Sequence, residues 1–321
     1  MSTPLLIILI IAGIALVVLG ADWLVDGASS IARRLGVSDF VIGLTIVGFG
    51  TSCPELVVSL TGAIKGLSDV AVGNVIGSNI FNSLLILGLT ALISPVAVSL
   101  QNKRRDIPVM LLVTFVLVFC GMSHTILGLG DSDGLSRVEG IIFLLLFAGY
   151  IFFSFKTDRR ETEENGDTPV KGMWAAVGLV LLGLAALVAG GHLGVNYGVE
   201  LARRLGVSEK FIAITLLAGG TSLPELATCI AAAIKRRDQM ALGNILGSNV
   251  FNILLILGCS AVVRPVSFAG VDLVDICALA GSAVLIWLSS YSFKKDRVDR
   301  YEGVLFLVAF IAYYVWLFQK L

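Results

Sequence analysis

The sequence predicts an all-α membrane protein whose ten transmembrane helices form two five-helix repeats of inverted topology. Three observations lead to this fold class: the composition, the number of long apolar stretches and an internal duplication. Of the 321 residues, 57% are hydrophobic and only 14% are charged, whereas about 25% of the residues of a soluble globular protein are charged. This composition excludes a disordered chain, an ordinary cytosolic enzyme and a nucleic-acid-binding protein that uses a basic patch.

The apolar residues are grouped into ten stretches, which we interpret as membrane spans because a transmembrane helix needs about 20 predominantly apolar residues. The first stretch has no preceding Lys or Arg and no small-residue cleavage site after it, so we predict a span and not a signal peptide. The longest polar linker, 156–171, leaves no room for a soluble domain. The ten stretches are residues 5–21, 41–64, 70–93, 107–122, 138–155, 173–192, 211–234, 240–263, 271–290 and 302–318.

An internal duplication relates the two halves of the chain. Residues 32–95 align without gaps with residues 202–265 at an offset of 170, and 33 of the 64 pairs are identical. Two motifs recur in this alignment, G-T-S-x-P-E-L from Gly50 and Gly220, and G-N-x-x-G-S-N-x-F-N from Gly73 and Gly243. The predicted domains are 1–160, with its motif region at 41–93, and 161–321, with its motif region at 211–263. Because five spans is an odd number, the second copy enters the membrane from the opposite side, as in inverted repeats.

The basic residues are divided unevenly between the two sides of this ten-span arrangement. The loops after the first, third, fifth, seventh and ninth spans hold 16 of the 23 Lys and Arg residues, and the opposite loops with both termini hold 7. Because Lys and Arg accumulate in cytoplasmic loops, we expect both termini to lie outside the cytoplasm. The expected location is the plasma (inner) membrane, in contact with the lipid bilayer.

Two glutamates are predicted at the middle of the membrane. Glu55 and Glu225 each lie ten residues before a lysine that marks the end of a span, Lys65 or Lys235. Ten helical residues measure about 15 Å, half of a hydrocarbon core of about 30 Å. A charge at this depth costs about 2.5–3.5 kcal/mol. We therefore expect both carboxylates to hold a counter-ion or a proton.

Oxygen-bearing residues accompany each glutamate. Thr51, Ser52 and Glu55 share one helix face by spacing, while Pro54 removes a backbone donor and interrupts the helix one turn earlier. The neighbouring glycines loosen the same turn, and broken helices at this depth are tolerated only where they line a cavity or the protein interior. The second repeat contains the same residues, Thr221, Ser222, Pro224 and Glu225.

The third and eighth spans are predicted to supply the facing wall of the site. Each carries a polar stripe at i, i+4 and i+8, and each contains a G-x-x-x-G spacing that permits close helix packing. Hard cations such as Ca²⁺ take six to eight oxygen ligands, and no His or Cys is repeated in these motifs, which argues against Zn or Cu. The stripes are Asn74, Ser78 and Asn82 in one repeat and Asn244, Ser248 and Asn252 in the other.

Through both motifs and the ten-span layout, the sequence closely resembles the cation/Ca²⁺ antiporter superfamily, and within it the prokaryotic Na⁺/Ca²⁺ exchangers. The resemblance implies a Ca²⁺ site formed by Glu55, Glu225, Thr51 and Thr221, with Asn82 and Asn252 lining it. It also implies flanking Na⁺ sites formed by Thr51, Ser52, Ser78, Thr221, Ser222, Ser248 and the backbone carbonyls of Gly48 and Ala218. Na⁺ and Ca²⁺ are then transported ions, with no cofactor and no catalytic residue. We expect no nucleic-acid partner, and the sequence contains no evidence for a protein partner.

The resemblance further implies alternating access, in which the first and sixth spans slide against a rigid core that carries the motifs. Three Na⁺ entering for one Ca²⁺ leaving would make the exchange electrogenic and favour Ca²⁺ extrusion. Some relatives, characteristically the K⁺-dependent exchangers, carry Asp where this chain has Asn252, so we do not expect K⁺ dependence. The G-N-x-x-E pattern of H⁺-coupled members and the large regulatory domain of animal exchangers are also missing from the sequence.

Other functions are kept as alternatives. Paired glutamates can release protons as readily as Na⁺, so Ca²⁺/H⁺ exchange or antiport of another cation with H⁺ stays open. A channel is a further alternative, although duplicated motifs at mid-depth favour a transporter. An intramembrane enzyme is a remote alternative: the G-L-G-D at 128–131 matches an aspartyl protease motif superficially, but no partner aspartate lies in a nearby span, and G-x-S-x-G and H-E-x-x-H are missing.

Overall fold

The structure is a computed structural model, and it describes residues 1–128, 132–158, 170–206, 219–291 and 296–320. Within these ranges the chain is mostly helical, and the only strands are four two-residue segments in the loops. The helices are α1 (Thr3–Leu35), α2 (Asp39–Thr51), α3 (Cys53–Lys65), α4 (Ser68–Ile93), α5 (Ile107–Gly121), α6 (Ser123–Leu127), α7 (Arg137–Lys156), α8 (Met173–Arg204), α9 (Leu223–Ile234), α10 (Asp238–Val263), α11 (Leu273–Ser289) and α12 (Arg300–Lys320). The strands are β1 (Val96–Ala97), β2 (Gly134–Leu135), β3 (Val266–Ser267) and β4 (Arg297–Val298).

Length and apolar composition identify six membrane spans in the described ranges, or seven if the bent pair α2 and α3 is one span. Three other predicted spans correspond to shorter helices: α5 has 15 residues, α9 has 12 and α11 has 17. Part of the predicted seventh span, 211–218, lies outside the described residues, so α9 represents only its second half. The protein is thus a helical protein with multiple candidate membrane spans, and helix length alone does not give ten.

The first and sixth predicted spans are longer in the structure than the sequence indicated. They end at 21 and 192 in the prediction, whereas α1 has 33 residues and α8 has 32, or about 50 Å of helix. Polar residues such as Asp22 and Asp26 end the apolar pattern without ending the helix. The helix α1 ends only before Gly36, which has the left-handed conformation (φ 70°) that favours glycine.

Helices α1 and α8 pack against each other through glycines. A Cβ atom on Gly13 would lie 2.8 Å from the carbonyl oxygen of Gly190, and one on Gly20 would lie 2.8 Å from that of Gly183. Only glycine permits two backbones to approach this closely. At the repeat offset of 170, Gly13 corresponds to Gly183 and Gly20 to Gly190. The same glycine spacing therefore forms both sides of the contact.

The core of the structure is formed by α4 and α10, which are the most buried of the candidate spans. Each contains a π-helical turn in its middle, Phe81–Ile86 in α4 and Phe251–Leu257 in α10. At its start α10 crosses α2, where Gly243 and Gly247 lie against the backbone carbonyls of Phe40 and Leu44. The equivalent partners of the first G-x-x-x-G, at 210 and 214, are outside the described residues.

The loops form two groups of contacts at opposite ends of the helices. At one end, which we call the Lys235 end, side chains and a strand pair connect the loops that follow the first, third, fifth, seventh and ninth predicted spans. These contacts are Lys235–Asp22, Ser38–Asp158, Ser94–Asp238, Lys103–Asp296 and the β1–β4 pair. At the other end, which we call the Arg204 end, the contacts are Arg204–Met1, Gly270–Asp69, Lys320–Asp272 and the β2–β3 pair.

Candidate cation-binding site

The two glutamates each lie in the first turn of a helix, α3 or α9, that follows a serine with non-helical backbone angles. The chain bends by 49° between α2 and α3, two residues before Pro54, as the position of the proline predicts. Ser52 at this break has φ −83° and ψ 6°, and Ser222 before α9 has φ −90° and ψ 8°. The repeated motif therefore gives the same local geometry in both halves, and it places Glu55 and Glu225 in equivalent positions.

The two repeats exchange hydrogen bonds at these glutamates. Ser52 Oγ donates to Glu225 Oε1 at 3.0 Å, and Ser222 Oγ donates to Glu55 Oε1 at 2.9 Å. Ser78 Oγ of α4 lies 3.3 Å from Ser222 Oγ. Glu55 is only 1% exposed and Glu225 only 2%. Each carboxylate is thus held by the serine of the other repeat, and both belong to one buried cluster.

Several oxygen atoms in and around this cluster are buried without a hydrogen-bond partner. Most buried polar atoms in proteins have such a partner, so a group of unpartnered oxygens requires an explanation. Carboxylate, hydroxyl and amide oxygens are the ligands that hard cations such as Ca²⁺ and Na⁺ accept, and two carboxylates balance the charge of one Ca²⁺. The atoms are Glu55 Oε2, Glu225 Oε2, Thr221 Oγ1, Asn82 Oδ1 and Asn252 Oδ1.

The structure describes eleven of the twelve residues that the sequence predicts for the site. Ten of them are buried, and Thr221 is partly buried beside Glu55 with its Oγ1 covered. Ala218 lies outside the described residues. The Gly48 carbonyl oxygen accepts the Ser52 N–H at 3.1 Å and lies 3.4 Å from Thr51 Oγ1. The ten buried residues are Gly48, Thr51, Ser52, Glu55, Ser78, Asn82, Ser222, Glu225, Ser248 and Asn252.

Asn74 and Asn244, the first residues of the two polar stripes, differ from the other stripe residues. The sequence predicts both in the wall that faces the glutamates, and in the structure their amide nitrogens donate to the preceding helix of each hairpin. Asn74 Nδ2 donates to Ser59 Oγ at 2.9 Å and to the Glu55 backbone carbonyl at 3.3 Å, and Asn244 Nδ2 donates to Cys229 Sγ at 3.2 Å. These bonds tie α4 to α3 and α10 to α9. The structure therefore gives both amides protein partners.

Two further asparagines, which the sequence reasoning did not single out, lie where α4 and α10 cross. Asn252 Nδ2 donates to Asn79 Oδ1 at 2.9 Å, and Asn79 Nδ2 donates to the Asn249 carbonyl at 3.2 Å. Asn249 Nδ2 in turn donates to Ser83 Oγ at 2.8 Å. Because the amide nitrogen of Asn252 is used in this network, its Oδ1 is held in a fixed direction. The signal was present in the sequence, since G-S-N repeats Asn79 as Asn249.

The alternative enzymatic motif cannot be placed in full. Of the G-L-G-D at 128–131, only Gly128 is described, and residues 129–131 lie outside the described ranges. Gly128 follows α6 in the left-handed conformation, with φ 67°, which is a common end of a helix.

Comparison with known proteins gives consistent matches over nearly the whole chain. The family described as "Sodium/calcium exchanger protein" matches residues 5–156 and 175–319. The putative antiporter CaxA of Alkalimonas amylolytica is 40% identical, with 98% of each chain covered. The sodium/calcium exchanger MaX1 of Methanosarcina acetivorans is 33% identical, covering 97% of this chain and 98% of that protein.

A solved structure also resembles this fold. The sodium-calcium exchanger NCX_Mj, soaked with 10 mM Na⁺ and zero Ca²⁺, superimposes with a TM-score of 0.84 at 33% sequence identity, covering 97% of this chain and 98% of that one. The family match includes both repeats, and the relatives align over almost their full length. The chain therefore belongs to the sodium/calcium exchanger protein family, among the prokaryotic cation/Ca²⁺ antiporters.

Proposed function

We propose that this protein is a secondary active transporter that exchanges Na⁺ for Ca²⁺ across the membrane by alternating access, and that it is not an enzyme. The observation that carries the proposal is the group of buried, unpartnered oxygens around Glu55 and Glu225, to which both repeats contribute. The names of MaX1 and NCX_Mj support the same ion pair. Na⁺ and Ca²⁺ are the transported substrates, and no resident cofactor is implied.

The residues are assigned to the ions as the family resemblance implies. Ca²⁺ would bind between Glu55 and Glu225 with Thr51 and Thr221, beside Asn82 and Asn252. The free Oε2 atoms of the two glutamates support this assignment. Na⁺ would bind in flanking sites that share the two threonines and use Gly48, Ser52, Ser78, Ala218, Ser222 and Ser248. Since the two threonines serve both ions, loading with Na⁺ would displace Ca²⁺.

The topology that we propose is ten spans in two inverted repeats, 1–160 and 161–321, with both termini outside the cytoplasm. The loop contacts support this topology. The Lys235 end connects the loops that follow odd-numbered predicted spans, and the Arg204 end connects the others with both termini. Ten crossings produce this alternation. The Lys235 end carries most of the basic residues, so it would face the cytoplasm.

The direction that we propose is Ca²⁺ extrusion driven by Na⁺ entry. An exchange of three Na⁺ for one Ca²⁺ moves one positive charge inward, and the membrane potential contributes about 2.3 kcal/mol per charge per 100 mV. Ca²⁺/H⁺ or other cation/H⁺ antiport is the second candidate, because two buried carboxylates can also exchange protons.

Flux in sealed proteoliposomes tests this function and separates it from the second candidate. Vesicles loaded with Na⁺ and diluted into Na⁺-free buffer are expected to accumulate ⁴⁵Ca²⁺, and an inside-positive potential is expected to raise the initial rate. Vesicles with a proton gradient and no Na⁺ gradient are expected to accumulate none. Uptake that follows the proton gradient and ignores Na⁺ would establish the H⁺-coupled alternative instead.

Two ion pairs at the Lys235 end join α1 to Lys235, the residue that follows α9. Lys235 Nζ lies 2.5 Å from Asp22 Oδ1 and 2.6 Å from Asp26 Oδ1. In the repeat, Lys235 corresponds to Lys65, whereas the two aspartates correspond to His192 and Asn196. In the part of the chain that the structure describes, Lys65 forms no ion pair. If α1 and α8 slide against the core, opening the Lys235 end must break these ion pairs. Among the described residues, opening the other end breaks no equivalent pair.

Lys235→Gln is therefore expected to favour the state that is open at the Lys235 end. Two partly exposed pairs contribute about 1 kcal/mol together, so the apparent Ca²⁺ affinity measured from that end should rise about fivefold, because more of the protein is ready to bind there. Ca²⁺ dependence in vesicles of each orientation measures the effect. Lys65→Gln is the matched control and should leave the ratio of the two affinities unchanged. Equal effects of the two variants would contradict sliding against this contact.

A further inference from the structure

Each repeat contains the same small clamp between its two motif helices. An asparagine on the second helix donates to a side chain on the first helix, which in turn donates to a backbone carbonyl on the second. The three positions are related by the offset of 170, and the only chemical change is a serine replaced by a cysteine. The members are Asn74, Ser59 and Ala71 in the first repeat, and Asn244, Cys229 and Ala241 in the second.

The two clamps differ in what their asparagine carbonyl oxygen contacts. Asn244 Oδ1 accepts the Thr51 hydroxyl at 3.2 Å and lies 3.5 Å from Ser248 Oγ. In the other half, Thr221 Oγ1 has no partner with hydrogen-bond geometry, so Asn74 does not hold it in the same way. One of two equivalent threonines is thus fixed by an amide and the other is not.

The direction of a hydroxyl hydrogen matters at a cation site. A threonine hydroxyl has one hydrogen to donate and two lone pairs to offer. When Thr51 donates its hydrogen to Asn244, which belongs to the neighbouring helix, its lone pairs are left for the site. Without Asn244 that hydrogen could turn to the Gly48 carbonyl oxygen, 3.4 Å away, or toward the site, where Glu225 lies beside Thr51. A hydrogen directed at a cation repels it.

The hydrogen bond to Cys229 fixes the orientation of the Asn244 amide. The Nδ2 group donates to Cys229 Sγ at 3.2 Å, and an amide that is bound at its nitrogen must direct its oxygen to the opposite side, which is the side of Thr51. We propose that Asn244, oriented by Cys229, is a positioning residue that turns the lone pairs of Thr51 toward the bound cation, and that Asn74 has no such role for Thr221. This inference rests on the proposed function only in taking the ligand to be Ca²⁺.

Equilibrium binding of ⁴⁵Ca²⁺ to the purified full-length protein tests the inference without depending on the coupling ion. Asn244→Ala is expected to raise the dissociation constant about tenfold, the factor that one hydrogen bond carries. Asn74→Ala is the matched control: it removes the same kind of clamp between helices, together with a 3.3 Å bond from Asn74 Nδ2 to the Glu55 backbone carbonyl, but no bond to a threonine hydroxyl. It is expected to change the constant less than about threefold. Equal increases in both variants would mean that the asparagines only join helices, and would overturn the inference.

A second pair of variants keeps the inference testable if Asn244→Ala does not fold. Cys229→Ser retains an acceptor for the amide, as Ser59 does in the first repeat, and is expected to bind Ca²⁺ as the unmodified protein does. Cys229→Ala removes the acceptor and is expected to weaken binding severalfold. Identical constants for the two cysteine variants would also overturn the inference. Normal Ca²⁺ binding that Na⁺ does not displace would instead contradict the proposed function, and would leave this comparison intact.

Discussion

Glu55→Gln or Glu225→Gln is expected to abolish Ca²⁺ transport in reconstituted vesicles while the protein still folds and inserts. Glutamine has nearly the same size and keeps an oxygen that can accept the serine hydrogen bond, so the change removes mainly the charge. Loss of one charged partner of a buried pair costs about 3–5 kcal/mol, which lowers the affinity for Ca²⁺ by more than about 100-fold. Initial rates of Na⁺-driven ⁴⁵Ca²⁺ uptake measure the effect.

The control for this prediction is an acid outside the site. Glu200 lies near the end of α8, where it is partly exposed and paired with Arg204, so Glu200→Gln should transport at a near-normal rate. Gel filtration in detergent verifies that all three variants are folded. Near-normal flux in both site variants, with correct insertion, would show that the glutamates do not carry the ion.

Gly243→Ala is expected to prevent correct assembly of the core. A Cβ at this position would overlap the Phe40 carbonyl of α2, and it would also contact the backbone nitrogen of Leu44 at 2.8 Å. Backbone atoms cannot rotate away as a side chain can, so the cost should exceed the range of about 1–3 kcal/mol that is typical of overpacking. The yield of monodisperse protein and its thermal unfolding temperature measure this loss.

Gly178→Ala provides the matched control within the same fold. Gly178 also lies inside a long helix, α8, but no described atom lies within 4 Å of a Cβ built there. The added methyl group should therefore change stability by no more than about 1 kcal/mol, the difference in helix propensity between the two residues. If Gly243→Ala were as stable as Gly178→Ala, the close crossing of α2 and α10 would be wrong.

The mostly helical fold and the helix start at each motif proline could be predicted, the latter because the same motif occurs twice in the sequence. Pro54 and Pro224 lie at the same place in two copies of one motif, and each is the second residue of a helix in the structure, α3 or α9. The lengths of α1 and α8 could not be predicted in this way. Hydropathy marks where the apolar residues stop, and Asp22 and Asp26 are polar residues that continue the helix.

Which residues lie close to the two glutamates was more predictable than the hydrogen bonds among them. Spacing along a helix shows that Thr51, Ser52 and Glu55 share a face, but it contains no information about the partner helix. The bond from Ser52 to Glu225 spans 173 residues of sequence. This contact determines which carboxylate oxygen accepts the serine hydrogen bond and which is left without a partner. Only the folded structure shows that arrangement.

The polar stripes illustrate the same limit. Asn244, Ser248 and Asn252 have identical spacing and equal polarity, so periodicity cannot separate a ligand from a structural residue. Asn244 differs from Ser248 and Asn252 because its amide nitrogen donates to Cys229 of α9. Asn249 was not singled out because it lies off the stripe, on the side of α10 that meets Ser83 of α4.

We propose that Na⁺ and Ca²⁺ compete for one buried site to which both repeats contribute. Equilibrium binding of ⁴⁵Ca²⁺ to the purified protein, titrated with Na⁺ at constant ionic strength, tests this competition. We predict one Ca²⁺ per chain, displaced completely by Na⁺ with a steep dependence on its concentration, and loss of binding in both Glu55→Gln and Glu225→Gln. Ca²⁺ binding that Na⁺ leaves unchanged, or that survives in either glutamate variant, would contradict the claim.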